Sequence, residues 1–284
     1  MKPWISPIPK KVHLIWIGER PCPDYFTKYF LKSFQKFMSD FEIIVWSNKD
    51  LTQKNFPLTW KYIQKAKRIH GIQLVNEDGN KMYDKDRNPL THNKYAQITD
   101  LMRLEIVFRG GGFYFDTTFE ILKPMYKLLN KNKKFIGCNE IPRFKNCYDL
   151  SNSFFGATKK NPILKRLLSK RYLDSIDFWS DQIAIETGPS YLRSGIYKND
   201  NDKVLIFPSK YFYPFIEPFD SETKNPPYRK SSKNKCHSIK NKKRTKKLQN
   251  SKGYLTYPCK KYPKSYALKH WQLGKSWLID EYYI

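Results

Sequence analysis

The sequence lacks long apolar runs, and it has few cysteines and few acidic residues. No stretch approaches the roughly 18 consecutive apolar residues that indicate a membrane-spanning helix. The N-terminal segment has no apolar core of a secretory signal peptide. The five cysteines form no Cys-x-x-Cys pair and no Cys/His spacing typical of zinc. We therefore expect a soluble, cytoplasmic protein with reduced thiols.

Positive charge is in large excess, with 53 Lys and Arg against 26 Asp and Glu and a net charge of +27. Clustered cations can neutralise nucleic-acid phosphates, but an AT-rich genome also produces many Lys, Asn, Ile, Phe and Tyr codons. Part of the excess is local, since residues 224–252 hold twelve Lys or Arg and no acid. We interpret this segment as a flexible, solvated insertion. The alternative is a contact with a polyanion or an anionic membrane surface; a nucleic-acid partner is not predicted.

The chain of 284 residues suits one α/β domain with a buried core, so we expect a single domain over 1–284. The sequence predicts a strand at 12–17, a helix at 26–41 with Asp24 as its N-cap, and a strand at 43–46. This order indicates a mostly parallel sheet with a crossover helix. Ligands of such sheets bind beyond the carboxyl ends of the strands. Further elements are predicted as a hairpin turn at 78–79, helices at 93–109 and from Pro162, and strands at 113–116, 135–138, 153–157 and 204–207.

The segment 95–120 is richest in residues that could do chemistry. Asp100 and Arg103 share one face of the predicted helix and could satisfy each other as a structural ion pair. Three glycines, 110–112, then end the helix and allow a tight turn. They are not a dinucleotide fingerprint, because they follow a helix instead of opening one. The next strand delivers Asp116 near its carboxyl end.

This layout resembles the glycosyltransferases with a DXD sugar-binding region known as family 32, which are similar to the catalytic domains of clostridial glucosylating toxins. The resemblance rests on Ala96, Asp100, Arg103, the turn Gly111-Gly112-Phe113-Tyr114 and Asp116-Thr117-Thr118. Three further segments resemble the family in the same order: Ile8 to Gly18, Thr187-Gly188-Pro189, and His270-Trp271 followed by Gly274-Lys275-Ser276-Trp277.

The resemblance implies a GT-A-type α/β domain that moves a hexose, with retention of configuration, from a nucleotide sugar to a glycan, protein or lipid acceptor. UDP is the expected nucleotide, and GDP is the alternative. In the roles it implies, Asp100 and Arg103 hold sugar hydroxyls and Asp116 bridges the donor and a metal ion that His270 also binds. The remaining donor contacts are His13, Trp16, Trp46, Ala96, Tyr114, Thr118, Ser276 and Trp277. From the residues alone, the ordinary interpretation of His13, Trp16 and Trp46 is as core side chains, and that of Tyr114 is structural.

Thr118 departs from the family pattern, because the last acid of Asp-x-Asp is missing. We expect dependence on Mn²⁺ or Mg²⁺ with weakened metal affinity, since these ions prefer charged oxygen ligands. Asp116 and His270 could hold the metal alone, Glu120 could supply the missing acid, or cationic side chains could replace the metal. Two other functions also stay open, namely a catalytically impaired donor-binding homologue and a polyanion-binding protein that acts through residues 224–252.

Overall fold

The computed structural model describes residues 3–17, 22–23, 26–70, 88–140, 150–176, 186–213 and 264–269. The predicted N-cap Asp24, the hairpin turn at 78–79, the basic segment 224–252, and His270, Ser276 and Trp277 lie outside these ranges. None of the described helices is long and apolar enough to cross a membrane.

The described part of the first half of the chain includes three strands of the sheet and three α-helices. Strand β1 (Lys11–Ile15) is followed by a π-helical turn (Phe26–Phe30) that continues into α1 (Leu31–Phe37). Strand β2 (Glu42–Trp46) then leads to α2 (Pro57–His70) and α3 (Asn88–Gly110). Strand β3 (Gly112–Phe115) follows α3 almost directly.

The second half adds shorter elements. They are β4 (Phe119–Ile121), α4 (Tyr126–Leu129), β5 (Phe135–Asn139), β6 (Leu150–Ala157), α5 (Pro162–Leu167), α6 (Lys170–Asp174), α7 (Pro189–Ser194), β7 (Val204–Phe207) and β8 (Ala267–Lys269). The side chain of Asn161 accepts a hydrogen bond from the Ile163 N–H, so the predicted cap and proline start of α5 are confirmed.

Six strands form one sheet in the order β2-β1-β3-β6-β5-β7. The pairs β1/β2, β1/β3 and β5/β7 are parallel, whereas β6 runs antiparallel to β3 and β5. The prediction of an α/β fold with a mixed, mostly parallel sheet flanked by helices is therefore confirmed. A separate ribbon pairs β4 with β8 in antiparallel register, which places Lys269 opposite Phe119.

Several predicted boundaries were wrong. The first strand ends at Ile15, so Trp16 and Ile17 lie beyond it, and the helix predicted to 41 ends at Phe37. The helix predicted from 93 already begins at Asn88. Strand β3 ends at Phe115, so Asp116 lies just past its carboxyl end. Helix and strand ends depend on local hydrogen bonds that a hydrophobic pattern does not record.

Strand β3 is fixed by packing on both faces, because all four of its residues are buried. The Phe115 ring contacts the rings of Phe34, Phe119 and Phe154, with centroids 4.7 to 5.7 Å apart. Tyr114 packs in a second cluster on the other face. The strand that carries Asp116 is thus held by a dense aromatic core.

The glycine turn between α3 and β3 needs residues without a side chain. Gly111 and Gly112 have φ angles of 67° and 108°, which L-residues with a Cβ rarely adopt. A Cβ on Gly112 would lie 2.8 Å from Lys11, and one on Gly111 would lie 2.8 Å from the Lys159 backbone nitrogen. The turn therefore lets α3 end directly against the sheet, which places Asp100 and Arg103 above β3.

Glu105 joins α2 to α3 from a fully buried position. Its carboxylate accepts hydrogen bonds from the Leu58 N–H at 3.0 Å and from the Thr59 N–H and hydroxyl at 2.7 and 2.8 Å. These N–H groups belong to the first turn of α2, where a negative charge also meets the positive end of the helix dipole. The contact fixes the register between the two helices.

We predict that Glu105→Ala lowers the free energy of unfolding by about 3 kcal/mol, because it leaves buried N–H groups without an acceptor. Urea unfolding measures the change. Glu42→Ala is the control, since Glu42 forms an exposed ion pair with Lys11 and should cost under about 1 kcal/mol. Equal losses in the two variants would contradict a capping role for Glu105.

Candidate active site

The candidate site lies at the carboxyl end of β3. Because β6 is antiparallel to β3, its first residues reach the same end of the sheet, and the Asp116 N–H donates to the Ser153 carbonyl at 2.9 Å. Helix α3 crosses above this point and contributes Asp100 and Arg103. The end of β8 contributes Lys269. We call Asp100, Arg103, Asp116 and Lys269 the charge cluster.

Asp100 and Arg103 form the buried ion pair that their spacing allowed. The guanidinium Nη2 lies 3.0 Å from Asp100 Oδ1, and the two residues are only 5% and 6% exposed. This contact satisfies the structural alternative. The pair also lies at the strand end where ligands of such sheets bind.

Two neutral side chains complete the surroundings of Asp100. Asn152 donates to Oδ1 at 2.8 Å, and the Thr187 hydroxyl donates to Oδ2 at 2.9 Å. Burial raises the pKa of Asp100 to about 6, although Arg103 and these hydrogen bonds oppose the rise. Thr187 belongs to the turn that precedes α7, so this turn is tied to α3 through the carboxylate.

Arg103 connects the helix to the strand end. Its Nη1 donates to the Asn152 carbonyl at 2.8 Å and lies 3.5 Å from Asp116 Oδ1. Its guanidinium carbon lies 4.6 Å from the centroid of the Tyr114 ring. A planar guanidinium can serve several acceptors in fixed directions, which an ammonium cannot. Arg103 therefore fixes both carboxylates of the charge cluster relative to each other.

Asp116 meets two cations and a phenol. Tyr114 donates its hydroxyl to Oδ1 at 2.7 Å, and the Lys269 ammonium donates to Oδ2. Burial alone would raise the pKa of Asp116, but Lys269 and Arg103 outweigh that effect and lower it to about 2. The Asp116 side chain is 22% exposed, against 8% or less for the other three members of the cluster. Asp116 is thus the open edge of the charge cluster.

His13 faces the other end of β3. Trp46 Nε1 donates to His13 Nδ1 at 3.3 Å, so Nε2 carries the proton and donates to the Gly111 carbonyl at 2.9 Å. Burial lowers the pKa of His13 to about 4. In this structure His13 is a satisfied core histidine, and a nucleotide contact would have to displace one of these two bonds.

The remaining described candidates are buried to different degrees. Ala96 and Trp16 are half-buried, and the Trp16 N–H donates to the Trp46 carbonyl. Tyr114 is fully buried and acts on Asp116 through its hydroxyl. Thr118 is 4% exposed, and its hydroxyl has no hydrogen-bond partner in the described part of the chain. Donor contacts by these residues remain predictions.

The described residues do not form the metal site that the resemblance implies. Both Asp116 oxygens are already engaged by donors, one of them cationic. Glu120 does not replace the missing acid. Side chains alternate between the two faces of a strand, so the Glu120 side chain lies on the face of β4 opposite to that of Phe119. Over the ranges that the structure describes, no group of three His, Cys, Asp or Glu side chains could hold a metal ion.

Three residues of the candidate site were not predicted from the sequence. Thr187 belongs to a turn that the resemblance includes, yet no role was predicted for it. Lys269 directly precedes His270, and the missing acid at position 118 was the one signal in the sequence for a cation at this site. Asn152 carries no local signal, since only the antiparallel pairing of β6 with β3 brings it to Asp100.

Comparison with known proteins supports a class. Residues 23–136, which include Asp100, Arg103 and Asp116, match the family described as glycosyltransferase sugar-binding region containing DXD motif. This match supports a glycosyltransferase of the DXD type. None of the curated proteins matches it. Its placement in family 32 remains a prediction.

Solved glycosyltransferases are similar at low identity. The PaToxG glycosyltransferase is 18% identical over 68% of this chain and 70% of its own, with a TM-score of 0.45. The glycosyltransferase domain from the YGT toxin is 12% identical over 70% and 80%, with a TM-score of 0.43. A glycosyltransferase involved in glycosylation of the major capsid of PBCV-1 is 11% identical over 70% and 82%, with a TM-score of 0.34.

The raised pKa of Asp100 predicts how stability depends on pH. The folded chain keeps its proton up to about pH 6, whereas the unfolded carboxyl loses it near the ordinary pKa of 3.8. The stabilisation that comes from this difference in pKa is fully present below about pH 4. It is lost as the pH rises through 6, which lowers the free energy of unfolding by about 3 kcal/mol.

Asp100→Asn removes that titration. Urea unfolding from pH 4 to 7 should therefore show the stability of the wild type falling relative to the variant. A difference that stays constant over this range would mean that Asp100 is ionised throughout in the folded chain.

Proposed function

We propose that this glycosyltransferase moves a hexose, with retention of configuration, from a nucleotide sugar to a hydroxyl of a glycan, protein or lipid acceptor. UDP-sugars are the favoured donors, and GDP-sugars are the alternative. The charge cluster is the observation that supports the proposal, because it gathers two carboxylates and two cations at the carboxyl end of β3. Three of its four residues, Asp100, Arg103 and Asp116, lie within the segment that matches the sugar-binding family.

The cluster offers the groups that a sugar needs. A carboxylate accepts about four hydrogen bonds, and Asp100 shares its oxygens among Arg103, Asn152 and Thr187. A sugar hydroxyl can therefore add to Asp100 without displacing these partners. The more exposed Asp116 lies on the side from which a donor would enter. In this arrangement Asp100 and Arg103 hold the sugar, and Asp116 faces the diphosphate.

The chemistry is an exchange of one C–O bond for another. The bond from the anomeric carbon to the diphosphate oxygen breaks, and its electron pair leaves with the diphosphate. The acceptor hydroxyl oxygen bonds to the same carbon, and its proton passes to the departing diphosphate. The described cluster presents no carboxylate free of cations to act as a nucleophile, which favours a front-face displacement. Its cations stabilise the charge that develops on the leaving group.

A second candidate function is a donor-binding homologue with impaired catalysis. Thr118 supports it, because a buried neutral hydroxyl stands where the family has an acid. Such a protein would bind a nucleotide sugar without transferring or hydrolysing it. The polyanion-binding alternative depends on residues 224–252, which lie outside the described ranges.

A thermal-shift panel of UDP- and GDP-sugars tests the donor class. At a concentration of 100 times its dissociation constant, a donor should stabilise the fold by about 2.7 kcal/mol. Each donor is run in EDTA and in Mn²⁺, and donor hydrolysis is followed in parallel. Binding with hydrolysis supports a transferase, whereas binding without any turnover supports the impaired homologue. No shift with any nucleotide sugar would contradict the proposal.

Substitutions at Arg103 test the sugar-binding role. Arg103→Lys keeps the charge but loses the planar fork, so we expect donor turnover per folded molecule to fall about 100-fold or more. Arg166→Lys is the matched control, because Arg166 pairs with Asp200 and with the Gly195 carbonyl away from the cluster. It should change turnover less than about two-fold. Near-normal turnover in Arg103→Lys, with lowered stability, would mean that Asp100 and Arg103 form only a structural salt bridge.

A further inference from the structure

Lys269 is a buried lysine whose ammonium lies against the one open carboxylate of the site. Its side chain is 5% exposed, and its nitrogen donates to Asp116 Oδ2. The register of β8 with β4 holds it opposite Phe119, whose ring centroid lies 5.3 Å from the ammonium. The Lys269 backbone N–H donates to the Phe212 carbonyl at 3.3 Å. The position of the ammonium is therefore set by a strand pair and by the aromatic core.

Burying an ammonium is costly unless the charge is matched. Asp116 already has a guanidinium at 3.5 Å and the phenol of Tyr114 at 2.7 Å. Lys269 adds a second cation to a carboxylate that Arg103 and Tyr114 already serve. The fold thus places two buried cations beside the most exposed carboxylate of the cluster.

The charges match those of a metal-loaded motif. Two carboxylates of an Asp-x-Asp pair and one divalent ion sum to zero. Here Thr118 removes one negative charge and Lys269 supplies one positive charge, so Asp116 and Lys269 also sum to zero. A divalent ion added beside Asp116 would meet the Lys269 ammonium and the Arg103 guanidinium without the second acid that normally holds it.

We propose that Lys269 replaces the divalent metal of this reaction, with its ammonium contacting the donor diphosphate from its position on Asp116. This inference rests on the proposed function. When the bond from the anomeric carbon to the diphosphate breaks, the electron pair goes to the diphosphate oxygen. The Lys269 ammonium stabilises that oxygen through a charge-assisted hydrogen bond.

Thr118 gains a role in the same arrangement. Its hydroxyl is buried and lacks a hydrogen-bond partner among the described residues, which is costly for a polar atom. Thr118 lies between Asp116, which Lys269 contacts, and Phe119, the register partner of Lys269. A diphosphate oxygen held by Lys269 gives this hydroxyl an acceptor, so a neutral donor at 118 suits an anion where an acid would repel it.

Calorimetric titration of UDP and GDP into the whole chain tests the proposal without requiring turnover. The wild type should bind one of them in excess EDTA with a dissociation constant within about two-fold of that in Mn²⁺. Lys269→Met keeps an unbranched side chain, one atom shorter, but removes the charge, so it should weaken binding in EDTA about ten-fold or more. Lys269→Arg keeps the charge and should retain most of the affinity.

Two further variants control for charge and restore the acid. Lys264→Met removes an exposed lysine from the same segment and should leave binding unchanged. Thr118→Asp combined with Lys269→Met rebuilds two carboxylates without the ammonium, so its nucleotide binding should become dependent on Mn²⁺. Electron paramagnetic resonance of free Mn²⁺ then shows uptake of the ion by the double variant and none by the wild type.

The outcomes separate the two claims. Nucleotide binding by the wild type only in Mn²⁺, or undiminished binding by a folded Lys269→Met, overturns the role of Lys269 and leaves the donor class intact. If Lys269→Met does not fold, the EDTA comparison in the wild type and in Lys269→Arg decides. If neither nucleotide binds in any condition, the proposed donor class is wrong and this inference falls with it.

Discussion

The contact between Asp116 and Lys269 is the interaction on which the site depends. A carboxylate at the end of a buried strand needs a positive partner, and here that partner comes from a strand 153 residues further along the chain. Arg103 then joins this pair to Asp100, and Asp100 joins the Thr187 turn and Asn152. Each buried charge of the cluster is thus matched by at least one opposite charge within it, which offsets the cost of burial.

Local features of the fold could be predicted from the sequence. The spacing of Asp100 and Arg103 follows from helical geometry, so their pairing was foreseen as one of two alternatives. The order strand, helix, strand gave the parallel pairing of β1 with β2. Asn161 followed by Pro162 correctly marked the start of α5. Each of these predictions depends on interactions between residues close in sequence.

What could not be predicted depends on pairing over long distances. The antiparallel direction of β6 brings Asn152 to Asp100, and the β4/β8 ribbon brings Lys269 to Asp116. Neither pairing has a local pattern. His13 shows the same limit, because its strand was predicted but the direction of its ring toward Gly111 was not. The family match ends at residue 136, so Asn152, Thr187 and Lys269 all lie beyond the matched segment.

Crystals grown with UDP and Mn²⁺, with diffraction recorded at the manganese absorption edge, test the central claim most directly. The account predicts a diphosphate oxygen within hydrogen-bond distance of Lys269 Nζ, near Thr118, and no anomalous peak beside Asp116. A manganese peak between Asp116 and the diphosphate, with the Lys269 side chain displaced from the carboxylate, would contradict it.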